Sequence, residues 1–140
     1  APPLDIAETP ARDRLALAVE NAVEGCVHET WAALCAAHQA RHARDPRVRA
    51  IYAEIAADEA RHADLAWRLA AWLEDQLTTR ERDLVSAAIT AAVRDLRVAL
   101  DRAPIESTAA DLGLPDRAAA AFLLAGLEAA LWSPEGSLAA

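Results

Sequence analysis

Residues 46–77, PRVRAIYAEIAADEARHADLAWRLAAWLEDQL, decide how this chain folds. The stretch has no glycine and no proline after its first residue. It is dominated by Ala, Leu, Glu and Arg, which are strong helix formers. Asp45-Pro46 supplies a start signal, with a capping side chain and Pro at the first helical position. Wound at about 100° per residue, Val48, Ile51, Ile55, Ala66, Leu69 and Leu73 define an apolar arc. His62 falls within about 30° of its centre and Glu59 within about 40°. Three residues apart, the two are neighbours on one face. Asp58 sits at the rim, while Arg61 and Asp64 face away. A buried, unpaired carboxylate costs several kcal/mol, so a Glu and a His inside a core stripe are paired or bind metal. The competing reading is a narrower apolar face that leaves both groups wet.

The rest of the chain reads as helices of the same kind. Residues 1–9 form an extended lead-in, and Thr9-Pro10 repeats the start signal. The first helix then runs to about Ala43, and the short link to Pro46 makes a helical hairpin. Thr78 and Glu81 have capping-box spacing and open a third helix that reaches about Arg102. A loop from Pro104 to Leu114 contains Gly113. Pro115 opens a fourth helix, which stops near Trp132. Residues 10–133 are thus one all-α domain, an antiparallel four-helix bundle, with 134–140 as a tail.

The first helix carries Leu17, Val23, Val27, Trp31 and Leu34 in one arc, with Glu24 inside it and Glu20 at its edge. His28 follows Glu24 by one turn, towards the rim, and Cys35 and His38 continue that side. Glu24, Glu59 and His62 are therefore the candidate metal ligands, with His28 and Glu20 as additions. Ordinary surface positions remain the alternative for Glu20, Glu24 and His28. The third helix has a stripe of Val85, Ala88, Ile89, Ala92, Leu96 and Leu100 with no acid at its centre. The fourth is nearly apolar throughout, as buried helices are, with Glu128 at the edge of its heavier face.

With 22 acids against 14 bases, the net charge is −8. That argues against a nucleic-acid surface, which needs clustered positive charge. It suits cation attraction, and equally a plain solvated surface. Cys26 and Cys35, if on one helix, are about 13 Å apart and cannot bond to each other. They are free thiols or pair between chains. No stretch is long and apolar enough to span a bilayer, since the Ala-rich 118–132 segment is too short. The chain opens on Ala1, which leaves its compartment open: cytoplasmic, or exported after loss of a leader.

Glu on one helix with Glu-x-x-His on its partner is the half-site of dinuclear carboxylate bundles. Here that pattern is Glu24 with Glu59-Ala60-Arg61-His62. On these residues the chain resembles the ferritin-like superfamily, and residues 55–63 look like the second helix of its rubrerythrin-like branch. Trp31, seven residues after Glu24, stands where that branch often has a Tyr. The likeness covers roughly residues 15–75. It implies iron as the cofactor, with zinc or manganese as alternatives, and oxygen or peroxide chemistry of an oxidoreductase or iron-handling protein. Neither later helix carries a second Glu-x-x-His. Three arrangements follow. One metal is held by one chain; two chains pair their half-sites in a homodimer, as in a shortened, encapsulated type of ferritin; or the site is degenerate and the chain is a non-catalytic structural or interaction module. Because helices 3 and 4 have long stripes of their own to cover, the expectation is that they lie over Glu24 and Glu59 and leave a monomeric core with at most one metal.

Overall fold

A computed structural model describes residues 13–102 and 109–132. These residues are all-helical, with no strand among them, and form four helices. The first, α1, is continuous but not uniform. It is α-helical over Arg14–Glu20, π-helical over Asn21–Glu29, and α-helical again over Thr30–His42. The second, α2, is Pro46–Glu74 and the third, α3, is Thr79–Arg102. The fourth, α4, comprises Arg117–Leu127 and a π-helical end, Glu128–Trp132.

The punctuation follows the capping chemistry. Asp45 accepts from the Arg47 N–H at 2.8 Å, with Pro46 just inside the helix. Thr78 and Glu81 form the complete reciprocal box: the Glu81 carboxylate accepts from the Thr78 N–H at 2.8 Å, and the Thr78 hydroxyl accepts from the Glu81 N–H at 3.3 Å. Two starts differ from expectation. The Thr9-Pro10 signal lies outside the described residues, and the described part of α1 begins at Arg14, capped by Asp13. α4 begins two residues after Pro115, because Asp116 is the cap and accepts from the Ala119 N–H at 2.8 Å. The predicted lead-in, the tail and part of the Pro104–Leu114 loop also lie outside the described residues.

α2 folds back along α1, and the seam between them is made of small residues. A Cβ on Gly25 would sit 2.4 Å from the Cβ of Ala66, so the helices touch backbone to backbone there. The Asn21 amide donates to the Ala66 carbonyl at 2.9 Å, and the Trp67 indole to the Thr30 hydroxyl at 3.1 Å. Ala63, Ala66 and Leu73 of α2 are buried. One core cluster joins Ala18, Leu73 and Leu77, with Leu17, Leu69 and Val85 packed on it. A second joins Val27 to Ala92 and Val93, under Val23, Ile89, Leu96 and Trp132. α3 therefore packs on α1. α4 lies against α3 and reaches α1 where the Trp132 indole donates to the Cys26 carbonyl at 3.1 Å.

This arrangement corrects the predicted apolar arc of α2. Ile51 and Ile55, two of its defining residues, are exposed, as are Leu65 and Trp72. The inward face is turned towards the alanines, which permit the close approach that bulky side chains forbid. Nor is α4 enclosed, since Phe122 is 80% exposed. α3 and α4 cover Val23 and Val27 of α1, not the Glu59–His62 face of α2.

Two glycines of the helices should respond oppositely to the same change. Gly25→Ala forces the α1–α2 contact apart and should cost about 1–3 kcal/mol, the usual range for overpacking. Gly126→Ala meets nothing within 4 Å and should stabilise by roughly 0.5–1 kcal/mol through helix propensity. Urea unfolding of the two variants checks both signs.

Candidate metal site

Along the outer edge of the α1–α2 seam, one turn beyond Gly25, stands Glu29, the last residue of the π-helical stretch. Opposite it are Glu59 and His62 of α2. One ligand atom from each of the three lies within 4.8 Å of the others, the one such group found among the described residues. His62 Nδ1 is 3.5 Å from a Glu59 oxygen and 3.7 Å from a Glu29 oxygen. π-helical segments often mark functional positions. Here the π-helical stretch ends on Glu29, with Glu24 near enough for its charge to act on that carboxyl.

The predicted residues divide as follows. Glu59 and His62 are brought together. Glu24 is not part of the trio: it is exposed and pairs with His28 at 3.1 Å. His28 serves Glu24 rather than the trio, and Glu20 is exposed and outside the group. The expectation that the ligands are buried is overturned for His62, whose side chain is 62% exposed, while Glu59 at 28% and Glu29 at 39% are half-buried. The reason is the rotated face of α2: with the alanines turned inward, the stripe holding His62 looks out.

Glu29 was missed. At about 100° per residue it falls nearly opposite the heavy arc of α1. A signal for it exists: Ala18, Ala22, Gly25 and Glu29 recur at helical spacing as a seam of small residues ending in an acid.

The electrostatics are those of a site short of positive charge. Glu29 is held above the ordinary carboxylate range, first because it hydrogen-bonds Glu59, then through partial burial and the charges of Glu59 and Glu24. Glu59 is held lower, chiefly as the acceptor of that bond and with help from His62. Of the two carboxyls, Glu29 therefore takes up a proton at higher pH than Glu59 does. Two oxygens and an imidazole nitrogen suit a first-row divalent cation such as iron, manganese or zinc. The two carboxylates and one imidazole fit such an ion, though three protein ligands leave its coordination incomplete. A concavity between α3 and α4, lined by Ile89, Val93, Arg97, Glu128 and Trp132, holds none of the trio.

No protein-family model, no curated protein and no solved structure matches the chain. The ferritin-like resemblance therefore rests on the residues of α1 and α2 alone.

A cation competes with protons for Glu29, so uptake should weaken as pH falls and release more protons the lower the pH. The sign follows from the raised Glu29, whose protonation blocks a ligand at higher pH than it would in an ordinary Glu. Co2+ titrations at several pH values in two buffers of different ionisation enthalpy measure both effects. His62→Ala should lose metal while changing apo stability by no more than about 0.5 kcal/mol, as exposed substitutions do. Leu69→Ala, against the Ala18–Leu73–Leu77 cluster, should cost about 2 kcal/mol or more. Equal metal content in His62→Ala and wild-type protein would remove His62 from the ligand set.

Proposed function

We propose that this chain is a metal-handling bundle of the ferritin-like, antiparallel kind. In this reading Glu29, Glu59 and His62 hold a divalent cation, iron foremost, and a second copy of the chain closes the site. The observation that carries the reading is the convergence of three ligand atoms from two helices on a face without cover. Iron bound to such a set supplies redox chemistry towards oxygen or peroxide. The protein's part is to hold the two carboxylates at one point and orient the imidazole between them.

The second copy is argued from the stripe that surrounds the trio. Ile51, Ile55, Asp58, His62, Leu65, Leu69 and Trp72 recur at alternating spacings of four and three, the seam of paired helices. Leu69 is packed on the core of its own chain, but Ile51 is 56% exposed, Leu65 66% and Trp72 59%, so these three await a partner on both sides of the ligands. A two-fold axis repeats each contact. It would turn two carboxylates and one imidazole into four and two, the count of a dinuclear carboxylate site. Face to face without cations, the same carboxylates repel. Association is then linked to metal by mass action. This replaces the expectation of a monomeric core with at most one metal, whose premise, cover from α3 and α4, does not hold.

Sedimentation velocity with and without Fe2+ under anaerobic conditions tests the reading. Wild-type chain should associate on adding metal, with one metal bound per chain. Glu29→Gln and His62→Ala should remain at the metal-free size. Metal-independent size together with no binding by any variant would leave the chain as a structural module without the chemistry.

A further inference from the structure

We infer that His38 and His42, near the end of α1, form a second metal site, a two-imidazole chelate for a late first-row cation with Cu2+ preferred over Ni2+ and Zn2+. The site is separate from the carboxylate trio and does not rest on the reading given to that trio. The two histidines are four residues apart, one helical turn, and their rings stack with centroids 4.2 Å apart and planes inclined by 30°. His38 Nδ1 lies 3.0 Å from the Gly113 carbonyl oxygen. A carbonyl can only accept, so the Nδ1 proton donates to it and Nε2 is left with its lone pair. A backbone carbonyl fixing the tautomer and orientation of an imidazole is the outer-shell arrangement found around ligating histidines.

That carbonyl is held by construction. Gly113 has φ +69, and a Cβ there would lie 2.3 Å from the Ala43 nitrogen, so only glycine lets the loop press so closely on the end of α1. The neighbouring Leu112 carbonyl accepts from the Gln39 amide at 3.2 Å, and Gln39 is buried. Arg44 donates its N–H to the Asp111 carbonyl at 3.1 Å and its guanidinium meets the Asp111 carboxylate at 2.8 Å. His42 is exposed, and its ring makes no hydrogen bond among the described residues. In the stacked arrangement the in-plane lone pairs of the two rings do not meet at one point, so chelation requires the exposed His42 side chain to leave the stack and swing to a rotamer that shares an ion with Nε2 of His38. Among the described residues no carboxylate joins the pair in a ligand group. A nitrogen-only pair moves preference away from iron and manganese towards copper, nickel and zinc, and the general affinity order puts Cu2+ first. A bound ion would clamp α1 at the point where the loop leading into α4 is pinned.

The test uses untagged full chain carrying Glu29→Gln and His62→Ala, which silences the trio. Calorimetric titration with Cu2+ and Ni2+ should give one ion per chain, with Cu2+ tighter and a visible absorption band from nitrogen ligation. Adding His42→Ala should weaken Cu2+ binding about tenfold or more, the scale of losing one ligand or its support. Because the His42 ring is exposed, this variant should keep the helical far-ultraviolet signal, and the loss is then of a ligand rather than of the fold. His38→Ala should act in the same direction. Cu2+ affinity unchanged in the His38→Ala, His42→Ala double variant overturns the proposal, as does binding that disappears on acetylating the amino terminus alone.

Discussion

The contact of Gly25 with Ala66 sets the geometry on which the rest depends. Helices that meet through a glycine and an alanine approach more closely than helices meeting through leucines, and dispersion between their backbones replaces interdigitated side chains. That approach brings side chains standing one to two turns further out on the two helices within reach of each other. On α1 that residue is Glu29, and on α2 they are Glu59 and His62. Asn21 and Trp67 fix the seam with hydrogen bonds to Ala66 and Thr30, so the spacing is pinned on both sides of the glycine. The cost is that the large residues of α2 cannot also face α1. Ile51, Leu65 and Trp72 are left outside, and the chain carries an apolar face around its acids.

The elements of the fold were readable in the sequence because they are written in local chemistry. Asp45-Pro46 and Thr78 with Glu81 each act within a few residues. The rotation of α2 was not readable from its large apolar residues. A hydrophobic arc weighs Ile and Leu above Ala, whereas this interface is selected by how little room a side chain takes. For the same reason Glu59 and His62 were found but expected to be buried, and Glu24 stood in for Glu29. The π-helical stretch from Asn21 to Glu29 compounds the error, since winding at a constant angle loses register across nine residues of wider turns.

The two thiols fit this account of a tightly seamed α1. Burial pushes both Cys26 and Cys35 up to about 11, so both are thiols at neutral pH, and neither belongs to the trio. What remains polar at the edge of the seam is the trio, with two carboxyls close together. Paired carboxyls would gain from a cation, and the uncovered apolar residues on either side would gain from a second copy. Metal and partner then satisfy one surface together.

The most direct test of that claim is an anomalous difference map from crystals of the chain grown with Co2+ or Fe2+. The account predicts a peak coordinated by Glu29, Glu59 and His62, with the α2 stripe of a second copy packed across it. A peak held by Glu24 and His28, or a trio facing bulk solvent with no metal at saturating concentration, would contradict it.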